Sequence, residues 1–223
     1  MKKRYLVDNQ KIFRVSRLEE NTIDKEIEDE IINLVLFKCK ELDVIVFSDF
    51  NYGVITKRLI KEITEIAHKN KIRLIGDVQC SSQIGLVTKF KNFSLLCPNE
   101  REARLALQDK DSGLEIIGQK LLSETSSKYL IMKLGSEGFI AYDRSKSGLL
   151  YSYSFPALSI NPVDVAGAGD SVLSVMAAGL SSNQSLLETS VIACCIAALA
   201  VEQMGNTPIP VKSLTDYLKE ILN

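Results

Sequence analysis

The sequence predicts an α/β protein with a mostly parallel sheet and helices on both of its faces. Short apolar runs typical of buried strands occur at residues 44–48, 72–77 and 129–133, and helical periodicity separates them. This alternation of strands and helices, between about residues 24 and 142, specifies parallel strands joined by crossover helices. The length of 223 residues suits a single domain with a substantial core.

Composition and charge exclude several classes of function. The net charge of −1 gives no basic footprint for nucleic acid or an anionic membrane. No apolar run reaches membrane-spanning length, and the basic start lacks the apolar segment of a signal peptide. His68 is the single histidine, so we expect no histidine-based catalytic or metal site. The cysteines are interpreted as reduced core residues of a cytoplasmic protein, because their number is odd and their spacing is not that of metal ligands. They are Cys39, Cys80, Cys97, Cys194 and Cys195.

The first half of the chain alternates predicted strands and helices. Turn residues between two short apolar segments predict a hairpin over residues 4–16. Apolar residues at helical spacing predict one helix at 24–41 and another from Leu59 to Asn70. Continuous apolar runs predict strands at 44–48, 72–77 and 93–97.

The second half repeats this alternation and ends in helices. An amphipathic segment at 116–122 precedes predicted strands at 129–133, 139–142 and 151–155. A small-residue apolar helix is predicted to begin at Asp170. Further helices are predicted from the capping box at Ser185 and Glu188 to about Gln203, and from Ser213 to Leu222.

Two glycines stand directly before the Asp170 helix, in the run Gly167-Ala168-Gly169-Asp170. Glycine allows the backbone to approach a ligand closely, and the open N–H groups and dipole of a helix start favour an anion there. A carboxylate is awkward beside an anion unless it takes a proton from a nucleophile while the N–H groups hold the developing negative charge. A glycine turn whose aspartate complements the helix dipole remains an equally weighted interpretation of these residues.

Polar residues also follow the first two buried strands. Asp49, with Asn51 and Gly53, follows the strand at 44–48, and Asp77 ends the next strand. The carboxyl ends of parallel strands meet at one rim of the sheet, where open α/β sheets bind ligands. These residues are therefore candidate substrate contacts, although turn formation alone also explains Asp49.

Two spaced motifs follow the later strands. Asn99-x-x-Glu102 has the spacing of a capping box, which is the interpretation that spacing alone favours. Lys133-x-Gly135-x-x-Gly138 precedes a predicted hairpin and by itself indicates no more than a glycine turn.

The run from Asp164 to Asp170 resembles the D-T-x-G-A-G-D signature of the ribokinase-like (PfkB) carbohydrate kinases. Val165 replaces the usual threonine but agrees with the heptose-phosphate kinase branch of that family, where the signature reads D-V-T-G-A-G-D. Ala166 departs from that branch. The two spaced motifs match the N-x-x-E and K-x-G-x-x-G patterns of the same family, and the resemblance extends along nearly the whole chain.

The resemblance implies a three-layer α/β/α sandwich with a mostly parallel sheet. Residues 1–20 would be the remnant of a small β lid and residues 24–223 the α/β core, with N-terminal strands and part of the lid missing. Such a sheet would expose an edge and apolar surface. Three explanations stay open: the chain is a truncated relative, a second chain supplies the missing segment, or the start is misassigned. A homodimer would also cover the exposed surface.

The chemistry implied by the resemblance is phosphoryl transfer from ATP, with Mg²⁺, to a hydroxyl of a sugar or sugar phosphate. Asp170 would be the general base, and Gly167, Ala168 and Gly169 would form the anion site. The residues implied to contact the nucleotide are Asn99, Glu102, Lys133, Gly135, Gly138, Asp164, Cys194 and Gly205, and Glu102 would also reach Mg²⁺ through water. The residues implied to contact the sugar are Asp49, Asn51, Gly53 and Asp77.

Three departures from the family pattern keep other functions open. Tyr52 and Gln79 stand where the family has lysine, and Cys194 stands where asparagine is common. They favour a catalytically weak nucleotide-binding or regulatory subunit of a split or degenerate kinase. A kinase of the same fold acting on a vitamin or nucleoside is a third possibility. Asp170 favours an active kinase, because a carboxylate beside the anion site only opposes simple nucleotide binding.

Overall fold

A small antiparallel sheet begins the chain. In the computed structural model, the described residues are 2–7, 10–16, 21–79, 85–144, 149–159, 162–205 and 207–222. Strands β1 (Lys2–Val7) and β2 (Gln10–Ser16) pair as the predicted hairpin, and its turn residues Asp8-Asn9 lie outside the described residues. The rings of Tyr5 and Phe13 stack across the pair with centroids 4.4 Å apart.

A six-stranded sheet forms the centre of the fold. Its strands, in spatial as well as chain order, are β3 (Val44–Asp49), β4 (Arg73–Val78), β5 (Leu95–Leu96), β6 (Tyr129–Lys133), β7 (Phe139–Asp143) and β8 (Tyr151–Phe155). The first four are parallel, and the last two are antiparallel to their neighbours. The prediction of a mostly parallel sheet is confirmed.

Helices account for most of the remaining described residues. They are α1 (Lys25–Lys38), α2 (Lys57–Asn70), α3 (Glu100–Leu107), α4 (Leu114–Thr125), α5 (Ala168–Ser181), α6 (Leu186–Val201) and α7 (Val211–Leu222). The side chains of Thr56, Asn99 and Ser185 cap α2, α3 and α6. No helix in the described ranges is both long and apolar enough to cross a membrane.

Alternate side chains of the parallel strands build two cores, one on each face of the sheet. Leu74 and Leu130 lie in one core, which also contains apolar residues of α1, α2, α3 and α4. Their neighbours Ile75 and Ile131 lie in the other core, with residues of α5 and α6. This alternation follows from the two-residue period of a strand, and it produces three layers.

Several predicted boundaries differ from the structure by a few residues, among them those of α5 and β5. The helix predicted to begin at Asp170 begins at Ala168, because Gly167 takes a left-handed φ of 88° and turns the chain into the helix two residues earlier. The strand predicted over residues 93–97 forms a ladder only at β5. Ser94 and Cys97 still donate backbone hydrogen bonds to β4, at 2.8 and 2.9 Å, so the whole segment lies along that strand.

The β3 edge of the sheet exposes apolar surface. Val46 of β3 is 39% exposed, whereas the next residue, Phe47, is buried. On α1, Leu34 and Phe37 are 61% and 77% exposed. The apolar edge expected from the sequence is present in the described residues, and an edge of this kind favours pairing with a further strand.

A substitution at Gly138 provides a test of the turn that joins β6 to β7. Its φ is 92°, and a Cβ there would overlap the backbone of Phe155 and Pro156. We expect Gly138→Ala to destabilise the fold by about 1–3 kcal/mol from backbone strain alone, measured by urea unfolding. The control is Gly113→Ala, where a Cβ meets nothing within 4 Å. Equal stability of the two variants would contradict the observed turn.

Candidate active site

The start of α5 presents open N–H groups. Gly167, the N-cap residue, provides no side-chain cap, and the N–H of Ser171 makes a 2.8 Å bond to the Gly167 carbonyl. The N–H groups of Ala168, Gly169 and Asp170 therefore have no acceptor within the helix. Together with the positive end of the helix dipole, they can hold an anion. We call residues 164–170 the glycine loop.

Asp164 holds the glycine loop in place. One oxygen of its buried carboxylate accepts the Ala166 N–H at 2.9 Å, and the other accepts the Gly205 N–H at 3.2 Å. Its own N–H donates to the carbonyl of Val201, the last residue of α6, at 3.0 Å. Asp164 and Gly205, two predicted nucleotide contacts, thus connect the glycine loop to the end of α6.

A buried ion pair lies beneath the glycine loop. Lys133 Nζ lies 2.8 Å from Asp77 Oδ1, and Asp77 is fully buried. The same Nζ is 3.6 Å from the position that a Cβ of Gly169 would occupy, so the ammonium borders the loop. Burial is the largest single effect and lowers the pKa of Lys133, but the charge and hydrogen bond of Asp77, together with smaller contributions from Cys97 and Glu102, outweigh it, so the pKa of Lys133 is raised. The second oxygen of Asp77 has no hydrogen-bond partner among the described residues.

Asp170 lies in the first turn of α5, facing this pair. Its Oδ1 accepts a hydrogen bond from Gln79 Nε2 at 3.2 Å. Burial is the largest cause that raises the pKa of Asp170, and the charge of Asp77 adds to it, whereas Lys133 and Gln79 act in the opposite direction. The net upward shift makes Asp170 a stronger base than an ordinary aspartate.

Asp49 and Asn51 form a second polar cluster at the end of β3. Lys89 donates to Asp49 Oδ2 and, at 3.3 Å, to Asn51 Oδ1. Asp49 Oδ1 accepts the Asn51 N–H at 2.8 Å, and Asn51 Nδ2 donates to the carbonyl of Gln79 at 3.0 Å. Gln79 therefore connects this cluster to Asp170. We call Lys89, Asp49 and Asn51 the lysine cluster.

Asn99 and Glu102 form the capping box of α3. The Asn99 N–H donates to Glu102 Oε2 at 2.7 Å, and the Glu102 N–H donates to Asn99 Oδ1 at 2.8 Å. Glu102 is buried, and its charge also contributes to the raised pKa of Lys133. The capping interpretation is confirmed, and the cap places a carboxylate within electrostatic reach of the ion pair.

The remaining predicted site residues make local contacts. The Gly53 carbonyl accepts the Ile23 N–H at 3.1 Å, and Gly135 and Gly138 shape the turn after β6. Cys194 Sγ donates to the Pro156 carbonyl at 3.0 Å. Burial, and then the neighbouring Cys195, raise the pKa of Cys194 to about 11, so it is a thiol at neutral pH.

Comparison with known proteins identifies the family of the chain. Residues 10–212 match the profile described as pfkB family carbohydrate kinase. The chain belongs to this family. The resemblance stated from its glycine-loop signature is thereby confirmed.

Curated relatives of this pfkB family chain are proteins named Bifunctional protein HldE. The one from Campylobacter jejuni subsp. jejuni serotype O:2 is 29% identical over 219 residues, which are 97% of this chain and 45% of that protein. The one from Sulfurimonas denitrificans is 26% identical over 220 residues, 97% of this chain and 44% of that protein. The chain spans about half the length of these relatives.

Solved structures of pfkB-like proteins show the same fold. Escherichia coli phosphofructokinase-2 in complex with potassium superposes with a TM-score of 0.75 at 17% identity, over 91% of this chain and 64% of that one. Arabidopsis thaliana ribokinase complexed with ribose and ATP gives 0.69 at 18% identity, over 91% and 61%. The ribokinase-like three-layer sandwich is confirmed.

The oxygen ligands of the site fit a magnesium ion that is held mainly by nucleotide phosphates. Within the described ranges, no three or more His, Cys, Asp or Glu side chains form a group that could hold a metal alone. Mg²⁺ commonly binds one or two carboxylates together with phosphates and water. The unpartnered oxygen of buried Asp77 and the carboxylate of Glu102 are donors of this kind.

A surface groove of the protein is separate from the glycine loop. A groove of about 650 Å³ runs along α3, and Arg101, Arg104 and Lys110 contribute to its lining. Arg104 Nε donates a hydrogen bond to Glu100 Oε1 at 2.8 Å, and Arg104 Nη1 donates to the backbone carbonyls of Lys110 and Ser112. We take the glycine loop as the candidate site, because open N–H groups, the Lys133 ammonium and the Asp170 carboxylate lie close together there.

Sequence reasoning missed two residues of the site. It regarded Gln79 only as the absence of a family lysine, and it did not consider Lys89. Lys89 lies in a short 3₁₀ turn, Val87–Lys89, and supplies a cation beside Asp49. The glutamine at the end of β4 was the available signal, since a polar residue there lies on the ligand-binding rim.

The ion pair can be tested by stability. Lys133→Met leaves Asp77 buried without its counter-charge, and we expect a loss of about 3–5 kcal/mol in urea unfolding. The double variant Asp77→Asn/Lys133→Met removes both charges and should regain most of that loss. Strictly additive losses in the double variant would show that the two side chains do not interact.

Proposed function

We propose that this chain transfers the terminal phosphoryl group of ATP to a hydroxyl of a sugar or sugar phosphate. The observation that carries the proposal is the placement of Asp170. Its carboxylate, with a raised pKa, lies in the same helix turn as three open N–H groups and near the Lys133 ammonium. A base beside an anion site matches the needs of phosphoryl transfer, in which a hydroxyl loses its proton to the base.

Each residue has a defined role in the proposed reaction. Asp170 accepts the proton of the acceptor hydroxyl, whose oxygen attacks the terminal phosphorus while the bond from that phosphorus to the bridging oxygen breaks and ADP leaves. The N–H groups of Ala168, Gly169 and Asp170 hold the negative charge of the transferring group, and the Lys133 ammonium adds a positive charge. Glu102, through water, and Asp77 would hold a Mg²⁺ ion, which would supply positive charge to the phosphates. Asp164 keeps the N–H groups aligned by fixing the glycine loop.

Heptose phosphate is the proposed acceptor. Val165 supports it, because the heptose-phosphate kinase branch carries valine at that position. The HldE relatives align over nearly the whole chain. Asp49, Asn51 and Gly53 remain the proposed sugar contacts, whereas Asp77, which the sequence also suggested for this role, is fully buried in its ion pair with Lys133.

Asp170 can be tested by ADP release from Mg-ATP across a panel of sugars, hexose phosphates and heptose phosphates. We expect acceptor-dependent release by the wild-type chain and its loss, by at least about 100-fold, in Asp170→Asn. ATP affinity, measured by calorimetry, should stay within a few-fold. Asp216→Asn, an exposed aspartate of α7, is the matched control and should release ADP at the wild-type rate.

Two outcomes would contradict the proposal. Unchanged turnover in Asp170→Asn would remove this residue from the mechanism. No acceptor-dependent release by the wild type, with ATP still bound, would favour the alternative of a nucleotide-binding subunit.

The same variant has a predicted effect on stability. Because folding raises the pKa of Asp170, its contribution to stability is fully present below the ordinary value of 3.8 and is lost as pH rises through the raised value. The charged carboxylate therefore costs stability at neutral pH. We expect Asp170→Asn to unfold at a higher urea concentration than the wild type at pH 7, with a difference that shrinks as pH falls toward 3.8. A less stable Asp170→Asn at pH 7 would contradict the raised pKa.

A further inference from the structure

Gln79 occupies a junction between the two polar clusters of the site. It follows β4 directly, two residues after Asp77. Its side chain contacts Asp170 on α5, and its backbone contacts Asp49 and Asn51 at the end of β3.

The backbone of Gln79 is held on both sides. Its N–H donates to the Asp49 carbonyl at 2.8 Å, and its carbonyl accepts from Asn51 Nδ2 at 3.0 Å. Rotating the Asn51 amide by 180° would break a hydrogen bond, because its oxygen accepts one from Lys89 Nζ. The lysine cluster therefore fixes the point from which the Gln79 side chain extends.

The side chain of Gln79 acts on the proposed base. Nε2 donates to Asp170 Oδ1 at 3.2 Å, which restrains the carboxylate. An amide donor can orient a carboxylate without neutralising it, whereas an ion pair would weaken its basicity more strongly.

Charged groups also reach Asp170 from the neighbouring strands. Asp77 of β4 raises its pKa and Lys133 of β6 lowers it. On β3, which also packs against α5, the buried Asp49 is paired with Lys89. From α6, Cys194 and Cys195 are thiols whose pKa values burial raises.

We propose that Gln79 is a positioning residue that orients the carboxylate of Asp170 toward the acceptor hydroxyl, with the lysine cluster fixing its backbone. This inference rests on the proposed function. It assigns a role to the position where the family has lysine and this chain does not.

The test compares Gln79→Met, which keeps the length but removes the donor, with Gln79→Lys, which keeps a donor and adds a charge. We expect Gln79→Met to lower kcat about tenfold with an unchanged KM for ATP, and to move the acid limb of the pH–rate profile upward. Gln79→Lys should retain most of kcat, and its acid limb should move downward. Gln119→Met, at an exposed position of α4, is the matched control.

A measurement independent of turnover separates this inference from the proposed function. The pKa of Asp170, followed by carbon NMR of its carboxyl group, should rise in Gln79→Met and fall in Gln79→Lys. Wild-type pKa values in both variants, or an unchanged kcat and pH profile in Gln79→Met, would overturn the positioning role. Lack of ADP release by the wild type, with the NMR shifts as expected, would contradict only the proposed function.

Discussion

The buried ion pair between Asp77 and Lys133 is the interaction on which the rest of the site depends. Asp77 ends β4 and is fully buried, so its charge requires a partner, which Lys133 supplies from the end of β6 at 2.8 Å. The same ammonium borders Gly169. One contact therefore joins two strands of the sheet, places a positive charge beside the open N–H groups of α5 and sets the electrostatic environment of Asp170.

The site is arranged for chemistry at the expense of stability. Asp77 keeps one buried oxygen without a partner in the described part of the chain, and Asp170 is held near that negative charge. At the start of α5 no side chain caps the N–H groups, although Asn99 and Ser185 cap α3 and α6. Unpartnered groups of this kind are unfavourable in a resting protein, and in the proposed reaction an anion, a metal ion and an acceptor would give them partners.

Local patterns in the sequence predicted the layers of the fold and part of the site. Apolar strand runs, helical periodicity and the capping box at Asn99 were sufficient, because each depends on neighbouring residues. The glycine-loop signature located Asp170.

The contact of Gln79 with Asp170 joins residues 91 positions apart, and that of Lys89 with Asp49 joins residues 40 apart. Such pairs depend on how strands and helices pack, so no local sequence pattern predicts them. The early start of α5 followed from the left-handed backbone of Gly167, which spacing alone does not specify.

The most direct test of the nucleotide site is to follow backbone amide NMR signals while a non-hydrolysable ATP analogue is added with Mg²⁺. Nucleotide bound at the glycine loop should give the largest downfield shifts at the N–H groups of Ala168, Gly169 and Asp170, since these would donate to the phosphates. Shifts confined to the groove along α3, near Arg101 and Lys110, with the glycine loop unchanged, would place the nucleotide elsewhere and contradict this assignment.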